Sequence, residues 1–576
     1  MTTATSTAPR NLWPANGLSA LLDFGVSSHA RAAALLLVVS LITFLPGFFQ
    51  VPPVDRDEAY FAQATKQMIE TGNYVDIRYQ DAVRYRKPIG IYWLQAGVVR
   101  TAEMLGVPSA RTKIWLYRLP SLFGAIGAVL ATYWCALAFV GRRGALLAAL
   151  MMVGSLLLGI EARLAKTDAV LLFTIISAMG ALARAYLHPR INQANGSTGS
   201  DWALAAVFWT ACAAGILDKG PLIVMVAGLA TVTLAILDRS ARWLRALRPL
   251  AGIGWLILLV LPWFIAIVMR AGDAFFVDSV GHDMLSKIGG GQETHGAPPG
   301  LYILLFFVTF FPAAALAIPA APAIWSLRRE RAMRFLLAWL VPSWIVFELV
   351  PTKLPHYVLP LYPAIAILLA VIIERKLLST RPSLKGAAVW WLIVPSVFGV
   401  AVVAGAIMLD RNPELLAWPF FAGAIVCGFY AWRLYDDDGA ERSFLRALSA
   451  AILAGIGAFG IVVPSLVPAF PSVALADVLH GASCPDPRAA STGYEEPSLV
   501  FLAGTDIQLT DAAGAADFLH RGTCRFAFVE VDDEHAFAAQ AQAIGLRYKL
   551  GPRIQGYNIS TGQRVDIAVF QTAGAP

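Results

Sequence analysis

Charge is what this sequence has least of. Only 14% of its 576 residues are Asp, Glu, Lys or Arg, against 57% hydrophobic, whereas a soluble domain carries roughly a quarter charged residues. That shortage excludes an ordinary soluble chain and leaves the bilayer as the solvent for most of it. Cysteine is also scarce, at five residues, too few for a disulfide-knit scaffold. Cys135, Cys212 and Cys427 fall inside apolar runs and are expected as small core residues. Cys484 and Cys524 fall in a polar tail, where an oxidising compartment would allow them to pair. No Walker-type phosphate loop is present, so nothing points to a nucleotide. The formal charge of +7 sits in short basic tracts between apolar runs, which reads as membrane topology and not as a nucleic-acid footprint.

A spanning helix needs roughly 20 mainly apolar residues, because hydrocarbon offers the backbone no other hydrogen-bond partner. Apolar segments run near 33–51, 119–140, 144–160, 168–187, 202–217, 220–237, 249–269, 300–326, 335–351, 356–373, 387–409, 415–432 and 448–470. The expected fold is therefore a polytopic α-helical membrane protein of about thirteen transmembrane helices. Alternate connections carry the basic tracts, among them Arg142 and Arg143, then Arg239 to Arg248, Arg328 to Arg334, and Arg375 to Lys385. The positive-inside bias assigns these to the cytoplasm, so residues 1–32 form a cytoplasmic segment and an odd span count puts the tail outside. Residues 1–32 are rich in Ser, Thr and Ala without a clear cleavage site and do not read as a signal peptide.

This divides the chain into residues 1–32, a membrane domain over 33–470 and an outer domain over 471–576. The first outer loop, 52–118, is long and charged, and within it 58–70 and 88–104 have the pattern of interfacial helices. A second long outer loop spans 270–300, where Gly289, Gly290 and Gly291 precede Gly296, Pro298, Pro299 and Gly300, as a lid would. Beyond 471 the pattern becomes that of a small α/β domain: β-like runs at 498–503 and 525–531, a helix near 535–545, then strands through Tyr557 and over 565–571.

Ionisable groups near a membrane that are not needed for topology are candidates for function. They collect on the outer side: Asp55, Asp57, Glu58, Tyr60 beside them, Arg84, Arg86 and Lys87 in the first loop, then Glu161, Arg163 and Asp168, then Lys219, then Arg270 and His295, then Lys353, His356 and Tyr357. Bases suit an anionic phosphate substrate, and a carboxylate suits a nucleophile that must lose a proton. Solvated loop charges are the bland alternative, but Asp168 opens an apolar run and Lys219 lies between two of them.

The first loop, DRDEAYFAQATKQMIETGNYVDIRYQDAVRYRKPIGIYW, resembles that of the GT-C glycosyltransferases of the aminoarabinose transferase (ArnT) type, relatives of the protein O-mannosyltransferases. Further matching stretches are EARLAKTD, LDKGP, ETHGAPPG and PTKLPHYVLPLYP, and GYNISTGQRVDIAVF resembles the family's C-terminal hairpin. The resemblance implies a GT-C fold in the bacterial inner membrane, an undecaprenyl (polyprenyl)-phosphate-linked sugar as donor, and a lipid, lipid A-like, or other envelope glycan as acceptor. It implies catalytic carboxylates at Asp57, Glu58 and Asp168, donor-phosphate contacts at Lys87, Arg86, Lys219 and Arg270, and a competing acid at Asp55. Relatives often carry Glu before the Lys-Pro step, where it helps to hold a metal; this chain has Arg86 there. No cofactor and no metal are expected, with His295 as the one remaining metal ligand of that kind. A secondary transporter would show matching interrupted helices and charges near the bilayer centre, and a non-catalytic assembly factor would leave Asp57, Lys87 and Asp168 without a purpose.

Overall fold

Every one of the thirteen apolar segments overlaps a helix or a helix pair in the computed structural model, which describes residues 15–187, 198–279, 281, 296–410 and 412–572. Nine helices among the described residues are long and apolar enough to cross a membrane. A tenth segment is a pair, Leu301–Thr309 and Ala313–Ser326, bent by 116°. The break holds Pro312, whose missing N–H cannot continue a helical ladder. The others are the shorter helices His29–Phe44, Arg142–Gly154 and Leu222–Asp238. Leu250, Leu258 and Met269 stand exposed on helix Pro249–Ala271, a surface that only lipid would cover.

The densest packing joins helix Ile114–Ala136 to helix Asp168–Leu187. A Cβ on Gly124 would lie 2.8 Å from the backbone nitrogen of Val170, so the missing side chain sets how closely the two backbones approach. Asp168 is the first residue of the second helix, so this contact fixes its position over the outer loops.

In the first loop, helices Asp57–Thr71 and Gly90–Met104 lie against each other, joined through a short antiparallel pair, Arg78–Tyr79 with Ala82–Val83. The tail forms a five-stranded sheet in the order 508–509, 488–492, 525–530, 563–572, 548–558. The first three strands are parallel and the last two antiparallel. Cys484 and Cys524 are bonded beside this sheet, and Cys135, Cys212 and Cys427 are free and buried. The run at 498–503, expected as a strand, is instead part of helix Pro497–Ala503. Proline at its first position presets the helical φ, and Gly504 at φ 139° stops the turn. This helix docks the tail on the first loop: Lys66 Nζ donates to the Phe501 carbonyl at 2.8 Å, and Tyr117 meets the Phe501 ring edge-on at 5.2 Å.

Candidate active site

The site is built around one buried ion pair. Glu58 and Arg118 are fully enclosed, and Arg118 donates from Nε to Glu58 Oε1 and from Nη2 to Oε2, each at 2.8 Å. Glu58 also accepts from Val54 N at 2.9 Å and Ala165 N at 2.8 Å. Arg118 donates further to the carbonyls of Phe48, Val51 and Pro52. Four donors saturate the carboxylate, so Glu58 is a scaffold and not the catalytic acid expected of it. It ties the first loop, the start of helix Ile114–Ala136 and the 162–167 turn into one unit. Asp57, its neighbour at the start of helix Asp57–Thr71, is exposed and lines a cavity of about 700 Å³.

Two acids and two lysines pack together at the floor, where Lys166 and His356 reach the cavity itself. Asp168 Oδ1 accepts from Lys219 Nζ at 2.5 Å, and its Oδ2 lies 3.8 Å from Lys166 Nζ. Lys166 donates to Glu161 Oε1 at 3.2 Å. His356 lies between the acids, 3.8 Å from each. Burial works against the Lys166 charge, but Glu161, Asp168 and Asp57 outweigh it and hold its pKa above the ordinary lysine range. Lys87 is half-buried and near enough for its charge to act on His356. Lys219 lies 5.9 Å from the Tyr357 ring, which stands edge-on to His356. Glu161, Asp168 and His356 bring ligand atoms within 4.8 Å of one another, a spacing that suits a divalent ion. The fit is poor, because two ammonium groups already neutralise the carboxylates and would repel a dication.

The upper wall comes from the tail. Glu495, Glu496, Pro497 and Ser560 face Asp57, Tyr60 and Lys166 across the cavity. Arg56 Nη2 donates to the Ser560 carbonyl, and the Ser560 hydroxyl donates to Glu496 Oε2. Asp55 Oδ1 accepts from Ser498 N at 2.9 Å. Burial pushes the Asp55 carboxyl up to about 7, with Glu496 and Glu58 adding to the rise against the Ser498 hydrogen bonds.

The remaining candidates separate into those near the cavity and those elsewhere. Arg84 is buried over the ring of Tyr60 at 4.4 Å and supports that wall. Arg163, in contrast, is a backbone clamp: it donates to the carbonyls of Pro46, Gly159 and Thr43 and lies over Phe459. Lys353 likewise caps the Glu348 and Val350 carbonyls, each at 2.8 Å. Both are structural, contrary to expectation, because a basic side chain at a helix end satisfies carbonyls that hydrocarbon cannot. Arg86 is exposed, and Arg270 is exposed at the end of its helix without an ion pair to the described cluster. His295 and Gly289 to Gly291 lie outside the described residues. Sequence reasoning passed over Arg118, Glu495 and Glu496, and it grouped Lys166 with the outer charges without assigning it to the site. Lys166 carried a signal, since it stands between two selected acids.

The chain is similar to known proteins over much of its length. Residues 34–274 match the family model for dolichyl-phosphate-mannose-protein mannosyltransferase. An undecaprenyl phosphate-alpha-4-amino-4-deoxy-L-arabinose arabinosyl transferase of Edwardsiella ictaluri is 25% identical over 445 residues, covering 73% of this chain and 74% of that protein. Its counterpart in Pseudomonas aeruginosa is 26% identical over 430 residues, 72% and 73% of the two chains. The crystal structure of apo ArnT from Cupriavidus metallidurans aligns with TM-score 0.73 at 18% identity, covering 94% of this chain and 98% of that one. The same protein bound to undecaprenyl phosphate gives 0.72, at 94% and 97% coverage. The chain thus has the fold of the ArnT structures, and its sequence is similar to one class of proteins, the membrane glycosyltransferases. Within that class the chain is similar, over nearly three-quarters of its length, to the aminoarabinose transferases.

Proposed function

We propose that the protein moves a sugar from an undecaprenyl-type polyprenyl-phosphate donor to a lipid A-like lipid or another envelope glycan. The reaction takes place at the outer face of the bacterial inner membrane, with the N-terminus cytoplasmic and the tail outside. The observation that carries this reading is the juxtaposition, around one cavity, of an exposed carboxylate, Asp57, and the ammonium group of Lys166. The known ligand of the Cupriavidus metallidurans enzyme, undecaprenyl phosphate, agrees with it.

The chemistry is an in-line displacement with inversion. The acceptor oxygen attacks the anomeric carbon, the bond from that carbon to the carrier phosphate breaks, and the carrier leaves as its phosphate. Lys166, Lys219 and Lys87 stabilise the charge growing on the phosphate. Asp168 and Glu161 act by holding two of those lysines, so Asp168 is a positioning residue. Asp57 takes the proton of an acceptor hydroxyl, a contribution worth on the order of 100- to 10,000-fold. No metal takes part, since the lysines already supply the positive charge.

Release of free carrier phosphate from polyprenyl-phosphate sugars by purified protein tests the reading. Asp57→Asn should abolish transfer while leaving the melting temperature unchanged. Near-normal turnover of that variant would remove Asp57 from the catalytic role.

A further inference from the structure

A second cavity, of about 470 Å³, lies where the tail meets the outer end of the membrane bundle. We propose that it seats the headgroup of a glycolipid acceptor, an inference that rests on the glycosyltransferase reading and names the class of its second substrate. One side is apolar, formed by Met408 and Leu409 at the end of helix Pro382–Asp410 and by Pro468. The other is polar, formed by Gln555, Tyr557 and Arg564 of the hairpin and by Glu530 of the neighbouring strand.

Such two-sided chemistry at a membrane boundary fits an amphiphile. The apolar side continues outward over Met408, Leu415, Leu416 and Val467, which are 78%, 68%, 70% and 70% exposed. Acyl chains laid there cover an apolar surface that none of the described residues covers. The polar side is selective. Asp566 is already engaged by Arg553 and Gln555. Arg564 Nε donates to the Tyr557 hydroxyl at 3.1 Å. The phenol proton and the other guanidinium N–H groups then serve as donors, with the Gln555 amide oxygen and Glu530, whose Oε2 already accepts from Asp532 N, as acceptors. Alternating donors and acceptors beside an aromatic ring match sugar hydroxyls and a sugar's C–H face. A simple phosphate headgroup would meet the Glu530 carboxylate instead.

The same hairpin joins the two cavities. Tyr557 pairs with Arg564 in register, and the turn beyond them carries Ser560, which lines the catalytic cavity. Only Asn558 and Ile559 separate Tyr557 from Ser560 at this turn. A glycan held beside the hairpin turn is therefore directed toward the cavity that Asp57 lines.

The test uses the full-length protein in nanodiscs containing either lipid A or only phosphatidylglycerol. Gln555→Trp fills the cavity, and a Tyr557→Ala, Arg564→Ala double variant removes its polar side. Each should raise the acceptor concentration for half-maximal rate tenfold or more, with donor dependence and melting temperature unchanged. Benzoylphenylalanine introduced at position 408 should cross-link lipid A without turnover. Unchanged acceptor dependence in both variants, or cross-linking of phosphatidylglycerol alone, overturns the proposal. If wild-type protein transfers no sugar, yet cross-links lipid A in a way that Gln555→Trp abolishes, the seat stands and the glycosyltransferase reading falls.

Discussion

Glu58 and Asp57 are adjacent, both acidic and both in the first turn of one helix, yet their surroundings give them opposite tasks. Glu58 is enclosed by four donors, and Glu58→Gln removes the charge that Arg118 needs. Breaking a buried pair from one side costs about 3–5 kcal/mol, so thermal unfolding in detergent should begin at a clearly lower temperature for that variant. The Asp-Glu pair was visible in the sequence, but its partner was not, because Arg118 lies 60 residues away and reads as an ordinary flank of a span. Arg163 and Lys353 deceived for the same reason: a basic residue at a helix end has the same sequence whether it meets a substrate or a carbonyl. At the floor, Lys166 and Lys219 occupy the acids that a metal would need. Chelator treatment should therefore leave turnover unchanged, and metal analysis of active protein should find far less than one equivalent; stoichiometric zinc or magnesium would contradict this.

Among the elements, the interfacial helices of the first loop were legible from their amphipathic spacing, as was the terminal hairpin from its alternation. Helix Pro497–Ala503 was not. Its Ser-Leu-Val-Phe-Leu-Ala run has strand-like composition, and all of Pro497 to Phe501 is buried, so no polar face marks a helical period. The proline before it and the glycine after it were the overlooked signals. This element also carries a pH effect. Asp55, against Ser498, has its pKa raised by burial from 3.8 to about 7, so docking the tail takes up a proton. Docking should weaken as pH rises from near 4 to about 7 and then level off. Hydrogen exchange across 497–503 would record this, and Asp55→Asn, which keeps an acceptor for Ser498 N, should flatten the profile.

For the molecule as a whole, hydropathy located the bundle, because burial of apolar helices follows from solvation, while the basic tracts supply an expected orientation. What composition could not convey was that loop and tail close over one cavity, since that depends on contacts between the two ends of the chain. The proposed orientation predicts that alkaline phosphatase fused after Pro576 is active in cells, whereas fusion in the Arg239 to Arg248 connection is silent; the reverse pattern would overturn it. The contact between Arg56 and Ser560 joins residues 504 positions apart, which has a consequence for biogenesis. A nascent chain whose bundle is already formed still lacks the wall that Ser560 gives the cavity until residue 560 has been made.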